Sequence, residues 1–105
     1  MSYRSVYLTI LIALSFISFS LAFQPQTKEE LQTAVDLWVS DNASALSTYG
    51  PINSWDVSTI TNMSELFKEK TTFNDDIGNW DVSTVTNMNT MFYEATSFNQ
   101  DISSW

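Results

Sequence analysis

The feature that most limits how this chain folds is a 25-residue repeat in its C-terminal half. Trp55, Trp80 and Trp105 are spaced by 25 residues, and segments 55–79 and 80–104 are identical at 15 of 25 positions. A period of this length is typical of repeat arrays, in which each unit buries its apolar side chains against its neighbours. The sequence therefore predicts repeat units stacked on one another.

Apolar residues recur at equivalent positions of the two units and define the predicted core. Trp and Phe faces also suit sugar rings, so a carbohydrate-stacking surface is an alternative interpretation. A 25-residue unit has few other side chains large enough to fill its interior, so packing is the favoured role. The predicted repeat core consists of Trp55, Val57, Ile60, Met63, Phe67, Phe73, Ile77, Trp80, Val82, Val85, Met88, Phe92, Phe98, Ile102 and Trp105.

Each unit contains two kinds of local signal. Its first nine residues are rich in β-branched side chains, which favour a short strand, and the Met/Leu-Phe segment that follows is typical of a single helical turn. Asn62 and Asn87 recur where a side chain can cap that turn or bond adjacent backbone. The predicted fold class is an α/β repeat: a short leucine-rich-repeat-like solenoid with an N-terminal capping helix, after a signal peptide.

A helix is predicted before the repeats, from about Lys28 to Val39. Thr27 and Glu30 have the spacing of a capping box, and a second helical turn is predicted at 43–48, ending at Gly50-Pro51. The apolar stripe could make this a partner-binding helix, but covering the open end of the repeats is the favoured role. This stripe consists of Leu31, Ala34, Val35 and Trp38.

The first 22 residues have the pattern of an export leader. Arg4 precedes an apolar run over 6–21, and Ser20-Leu21-Ala22 places small residues at the −3 and −1 positions of a signal-peptidase site. An uncleaved anchor is the alternative, since the run approaches the length of a membrane span. The predicted domains are the signal peptide (1–22), a capping helical segment (23–50) and the repeats (51–105), with units 55–79 and 80–104 and the start of a third at 105.

Composition excludes most enzyme classes. The chain has 12 acidic and 4 basic residues, a formal net charge of −8, and neither His nor Cys. An acidic surface repels phosphate backbones and anionic headgroups, so we expect no nucleic-acid partner. A Ser-His-Asp triad, a thiol nucleophile, a Cys/His zinc site and disulfides are impossible, and two glycines cannot build a phosphate-binding loop. We expect no enzymatic activity, cofactor or metal.

The string WDVSTVTNMNTMFYEATSFNQDISSW, from Trp80 to Trp105, resembles the repeat of BspA-like leucine-rich-repeat surface proteins, also found in mycoplasma surface lipoproteins. The resemblance covers residues 52–105, and the preceding helical segment is similar too. It implies a secreted or surface-displayed solenoid used for adhesion or recognition, with no catalytic residues. Members usually carry many repeats, so we expect a fragment, a truncated gene model or a shortened paralogue.

The leading functional hypothesis is therefore a non-catalytic, extracellular or cell-surface module that binds a protein or glycan. We expect membrane contact only through an uncleaved leader or a C-terminal anchor beyond Trp105. Weak polar contacts would come from side chains at alternating positions. The candidate binding face consists of Ser58, Thr61, Ser83, Thr86 and Tyr93.

Two further hypotheses remain open. An uncovered C-terminal repeat edge could self-associate or dock onto another repeat protein as a structural element. The recurring pairs Asp56/Asp81 and Asp76/Asp101 could form a glycosidase carboxylate pair or a calcium site. We favour hydrogen-bonded turns for these aspartates.

Two sequons are predicted N-glycosylation sites in an exported chain. Asn42 lies in a polar connector and is the better acceptor. Asn62 is less favoured, because it occupies the repeat position whose side chain is expected to be engaged in structure.

Overall fold

Two helices precede the repeats in the computed structural model, which describes residues 21–105. Helix α1 spans Lys28–Ser40 and helix α2 spans Asn42–Tyr49, followed by a 3-10 turn at Ile52–Ser54. No helix among the described residues is long and apolar enough to cross a bilayer. The predicted signal peptide lies outside the described residues, except for its last two positions.

Helix α1 begins with the capping pattern that the sequence predicts. The Thr27 side-chain oxygen accepts from the Glu30 amide at 3.1 Å, and the Glu30 carboxylate accepts from the Gln26 amide at 2.7 Å. One orphan donor of the first turn, the Glu30 amide, is thus satisfied, whereas the Glu30 carboxylate bonds the residue before the N-cap rather than Thr27 itself. Gly50 ends α2 with a φ of 76°, a conformation that costs glycine little.

Helix α1 covers one side of the first repeat. Its buried stripe is the predicted one, and polar side chains at the edge of the contact form hydrogen bonds to repeat 1. Lys28 Nζ donates to Ser64 Oγ at 3.2 Å, and Gln32 donates to the Leu66 carbonyl at 3.0 Å. The buried stripe consists of Leu31, Ala34, Val35 and Trp38.

The two repeat units, repeat 1 (55–79) and repeat 2 (80–104), lie side by side with equivalent side chains in contact. The rings of Phe67 and Phe92 stack 5.4 Å apart at 3°, and those of Phe73 and Phe98 stack 5.8 Å apart at 4°. Backbone donors of repeat 1 also reach carbonyls of repeat 2 at 2.7 to 3.1 Å: Met63 to Asn87, Glu65 to Asn89, Phe67 to Met91 and Glu69 to Tyr93.

The predicted α/β leucine-rich-repeat-like solenoid is wrong. Within residues 21–105 there are two α-helices and a 3-10 turn but no strand, and the repeats meet in one isolated bridge, Asn62 to Asn87. The β-branched segment instead forms turns. The amide of Ser58 bonds the Asp56 carboxylate at 3.0 Å, and Ile60 N donates to Val57 O at 3.0 Å. Such local bonds compete with a sheet ladder.

The predicted helical turn of each unit is also wrong. Leu66 N donates to Met63 O, which is a turn bond, but Glu65 and Glu69 have φ of 61° and 60°. Left-handed residues interrupt a right-handed helix. This geometry lets alternate amides point out of the unit toward its neighbour, and it recurs at Thr90 and Glu94, with φ of 54° and 55°.

Burial of the predicted core falls from repeat 1 to repeat 2. All predicted core residues from Trp55 to Trp80 are at most 3% exposed. Met88 is 39% exposed, so its assignment to the core is wrong. Equivalent positions are thus not equally covered, because repeat 1 has a neighbour on both sides. The remaining core positions of repeat 2 are only partly buried: Val82, Val85, Phe92, Phe98, Ile102 and Trp105.

Candidate interaction surface

The side of repeat 2 that faces away from repeat 1 carries apolar side chains that the stacking leaves partly open. We call it the outer face, and its apolar members are Val82, Val85, Met88, Phe92, Phe98, Ile102 and Trp105. The ring centroids of Phe92 and Phe98 lie 4.4 Å apart, and those of Phe92 and Trp105 lie 6.3 Å apart. Partly exposed apolar rings in fixed positions are typical of contact surfaces.

The predicted polar binding face is partly engaged in intrachain bonds. Ser58 and Ser83 donate their hydroxyls to Asp56 and Asp81, both at 2.6 Å. The Thr86 hydroxyl donates to a neighbouring backbone carbonyl at 3.2 Å. These groups are therefore less available to a ligand than the sequence indicates.

Thr61 and Tyr93, the other two residues of the predicted binding face, are exposed. Tyr93 is the better candidate for contact with a ligand. Its side chain is 52% exposed, the largest value for an aromatic residue among residues 21–105. Lys68 Nζ lies 6.0 Å from the Tyr93 ring centroid and 3.7 Å from a Glu65 carboxylate oxygen. The exposed Tyr93 ring is therefore bordered by one positive and one negative side chain. We call these three residues the Tyr93 patch.

The recurring aspartates form hydrogen-bonded turns, as the sequence favours. Asp56, Asp81 and Asp101 each accept bonds from the residue two positions on. The side-chain and backbone bonds from Ser58, Ser83 and Ser103, respectively, lower the pKa of these carboxyls. Among the described residues, no group of three or more carboxylates is placed to hold a metal ion.

The chain matches one known protein family. The family described as "Mycoplasma protein of unknown function, DUF285" matches residues 23–105. The chain belongs to the DUF285 family. No curated protein and no solved structure matches it. The match covers both helices and both repeats of this DUF285 chain, so the helical segment and the repeats belong to one family pattern.

The two sequons of the DUF285 chain lie in different surroundings. Asn42 is exposed in the first turn of α2 and donates to the Trp38 carbonyl at a long 3.4 Å. Asn62 is half-buried, and its side-chain oxygen accepts from the Ser64 amide at 2.9 Å. The side chain of Asn62 is therefore held in a turn, as its repeat position indicates.

A cavity between the helices and the N-terminal segment was not predicted from the sequence. It measures about 420 Å³ and is lined by Phe23, Glu29, Glu30, Thr33 and Tyr49. The rings of Phe23 and Tyr49 lie 4.5 Å apart, although 26 positions separate them in the chain. No sequence pattern joins these two residues, so only the tertiary structure could bring them together.

Proposed function

We propose that this DUF285 chain is a BspA-like, non-catalytic recognition module of a secreted or cell-surface protein, and that it binds a protein or glycan. Family membership and the repeat resemblance support this proposal. The observation that carries it is the Tyr93 patch, which places an exposed ring on a backbone fixed by its neighbours. Tyr93 O accepts from Glu69 N at 2.7 Å, and Tyr93 N donates to Thr90 O at 3.1 Å.

A rigid exposed tyrosine is suited to recognition for two reasons. Its ring offers apolar area and its hydroxyl offers a polar contact. Because the local backbone is already ordered, the protein loses little conformational entropy there when a ligand binds. The bordering charges of Lys68 and Glu65 would orient a polar ligand over the ring.

The chemistry of the aspartates supports a non-catalytic role. A glycosidase needs one carboxyl group that keeps its proton near neutral pH. The lowered pKa of Asp56, Asp81 and Asp101 has the opposite effect, since these carboxylates accept bonds in their charged form.

Binding to an immobilised panel of glycans and extracellular-matrix proteins, followed by surface plasmon resonance, tests the proposal. We expect Tyr93→Ala to weaken binding to a panel member by about tenfold or more, as loss of an aromatic hot spot does. Leu46→Ala, which alters an apolar residue 47% exposed on α2, is the matched control and should leave binding unchanged. Equal binding by the Tyr93 variant, or no binding by the wild-type chain, would overturn the proposal.

A second candidate function is structural docking through the outer face. Its supporting observation is that side chains buried in repeat 1 have partly exposed equivalents in repeat 2, including Met88. Covering these side chains would remove apolar area from water, which favours association.

A further inference from the structure

The cavity on the helical segment has a lining that suits a positively charged ligand. It has a volume of about 420 Å³ and is lined by Phe23, Glu29, Glu30, Thr33 and Tyr49. We call it the cap cavity. Volumes of about 300–1,000 Å³ are typical of ligand pockets. None of the five residues belongs to a repeat unit, so this lining does not change with the number of repeats.

The wall that Phe23 forms is fixed by bonds to repeat 1. The Phe23 carbonyl accepts from the Asp56 amide at 2.9 Å, and the Pro25 carbonyl accepts from Thr59 Oγ1 at 2.7 Å. The Phe23 ring also meets the Trp55 ring edge to face, with centroids 5.5 Å apart at 87°. Because this wall is already ordered, little conformational entropy is lost there when a ligand binds.

Two aromatic rings supply the apolar part of the lining. The ring centroids of Phe23 and Tyr49 lie 4.5 Å apart at an interplanar angle of 44°, and both side chains are partly buried. The faces of aromatic rings carry partial negative charge and attract cations, Arg more often than Lys. A cation at this wall therefore gains apolar contact and electrostatic attraction together.

Two carboxylates supply negative charge to the same cavity. Glu29 and Glu30 are both exposed. The Glu30 carboxylate accepts one bond, from the Gln26 amide at 2.7 Å. Since an ionised carboxylate has about four acceptor positions, that bond leaves room for further donors.

The lysines among residues 21–105 do not neutralise these carboxylates. Lys28 Nζ donates to Ser64 Oγ at 3.2 Å, while Lys68 and Lys70 form ion pairs with carboxylates outside the cavity. No basic side chain of the described part of the chain lines the cavity. The formal net charge of −8 also attracts cations over longer distances.

The helix ends leave the electrostatic balance at the cavity negative. Tyr49 is the last residue of α2, whose final turn contains no basic residue. The C-terminal end of a helix carries about half a negative charge, which favours a nearby cation. The N-terminal end of α1 has the opposite sign, but the two full charges of Glu29 and Glu30 exceed its half charge.

We propose that the cap cavity binds the side chain of an arginine on the surface of a partner protein. A guanidinium group carries five donors in a planar fork that matches carboxylates, and it stacks on aromatic rings. The ammonium group of lysine is more strongly hydrated and has no plane to stack. The hydroxyls of Thr33 and Tyr49 add two further acceptors. This site goes beyond the proposed function, since it is separate from the Tyr93 patch.

Nuclear magnetic resonance titration of the isotope-labelled, natively processed chain, purified from cells that express the whole gene, tests the proposal. The probe is N-acetyl-arginine N-methylamide, and the matched lysine derivative is the comparison. We expect saturable shifts at the amides of Glu29, Glu30, Thr33 and Tyr49, and at least about threefold weaker binding of the lysine derivative. Added salt should weaken binding, because exposed charges are screened. No saturable shift at these residues, or equal binding of the two derivatives, would overturn the proposal.

Charge variants locate the site. Glu29→Gln should raise the dissociation constant of the arginine derivative by about twofold to fivefold, the range for an exposed charge pair. Glu94→Gln is the matched control, because it makes the same change in net charge at an exposed residue outside the cavity, and it should leave binding unchanged. Equal effects of the two variants would show that net charge alone attracts the probe, and the cavity would be rejected as the site.

Ring variants test the aromatic wall. Tyr49→Leu should weaken binding by about twofold to fivefold, as loss of an exposed cation–π contact does. Tyr49→Phe keeps the ring and its packing against Phe23, so it should retain most of the binding even if Tyr49→Leu fails to fold. Loss of all binding in Tyr49→Phe would contradict a site in which the ring face carries the contact.

Free arginine distinguishes an arginine in a polypeptide from the amino acid itself. Its charged amino and carboxylate groups replace the two amides of the derivative, and we expect it to bind no more tightly. Binding of free arginine at least about threefold tighter than the derivative would overturn the partner protein as the source. The Tyr93 assay above does not involve this cavity, so failure here leaves the recognition proposal standing.

Discussion

Repeat 1 and repeat 2 have similar sequences, identical at 15 of 25 positions, but different environments. Phe67 is fully buried, whereas its equivalent Phe92 is only partly buried; Met63 is fully buried, whereas Met88 is 39% exposed. The cause is position: α1 and repeat 2 cover the two sides of repeat 1, while repeat 2 has one neighbour among the described residues. Identical side chains therefore contribute differently to stability and to surface.

The two repeats approach each other closely at one glycine of repeat 1. Gly78 of repeat 1 is equivalent to Ser103 of repeat 2. A Cβ at Gly78 would lie 2.8 Å from the Asp101 carbonyl oxygen, because the second repeat approaches closely there. Repeat 2 has a Cβ at the equivalent position, in Ser103, which is exposed.

The largest expected difference between the repeats concerns their stacked phenylalanines. Phe67→Ala should lower the free energy of unfolding by about 3–5 kcal/mol, and Phe92→Ala by about half as much, because its ring keeps contact with water. Urea titration followed by tryptophan fluorescence measures both. If Phe67→Ala fails to fold, Phe67→Leu and Phe92→Leu make the same comparison, and equal losses at the two positions would contradict the unequal burial.

A smaller effect is expected at the glycine and serine pair. Gly78→Ala should cost about 1–3 kcal/mol, because the new methyl group overlaps backbone of repeat 2 that cannot easily move. Ser103→Ala would lose the hydroxyl bond to Asp101, so the control is the exposed Ser97→Ala, which should stay within about 0.5 kcal/mol. Thermal denaturation compares them, and a neutral Gly78→Ala would show that the repeats do not pack this closely.

The smallest effect is expected in the pH dependence of the aspartate turns. Hydrogen bonds from Ser58 and Ser83 lower the pKa of Asp56 and Asp81 in the folded state. Their stabilisation is therefore complete above the unfolded pKa of about 3.9 and is lost as the pH falls through the folded pKa. Gln24 also lowers the pKa of Asp56, whereas the nearby Asp56 charge raises that of Asp81.

Melting temperatures between pH 6 and pH 2 measure this difference. The wild-type chain should lose stability below about pH 4. The loss of stability on acidification should be smaller in Asp56→Asn than in Asp81→Asn, because Asp56 accepts an additional bond, at 2.9 Å, from Gln24. An identical acid response in the two variants would show that repeat position does not affect these turns.

The sequence predicted which side chains meet between the repeats more accurately than it predicted the backbone conformation. The spacing of Phe67 and Phe92 identified two rings that stack, but strand propensity at Val57 and Ile60 led to a wrong fold class. Propensity measures an average preference, whereas the Asp56 side chain offers the local amides a competing bond. The left-handed Glu65 also has no signal in its residue type.

The candidate surface was only partly predictable. Tyr93 is exposed, in agreement with its assignment to a binding face. Ser58 and Ser83 occupy the predicted polar row but bond neighbouring carboxylates, which spacing alone does not show. Export, ligand binding and the absence of catalysis remain predictions.

By itself, the sequence determined the period of the repeats, the pairs of side chains that meet across it, and the helix whose apolar stripe covers one side. These follow from local patterns, since equal spacing and helical periodicity act on neighbouring residues. The tertiary structure alone decided which copy of each pair is buried and that turns replace strands. Burial and hydrogen-bond partners depend on what lies beside each unit, so two residues of the same type at equivalent positions can differ in both once the units are placed in space.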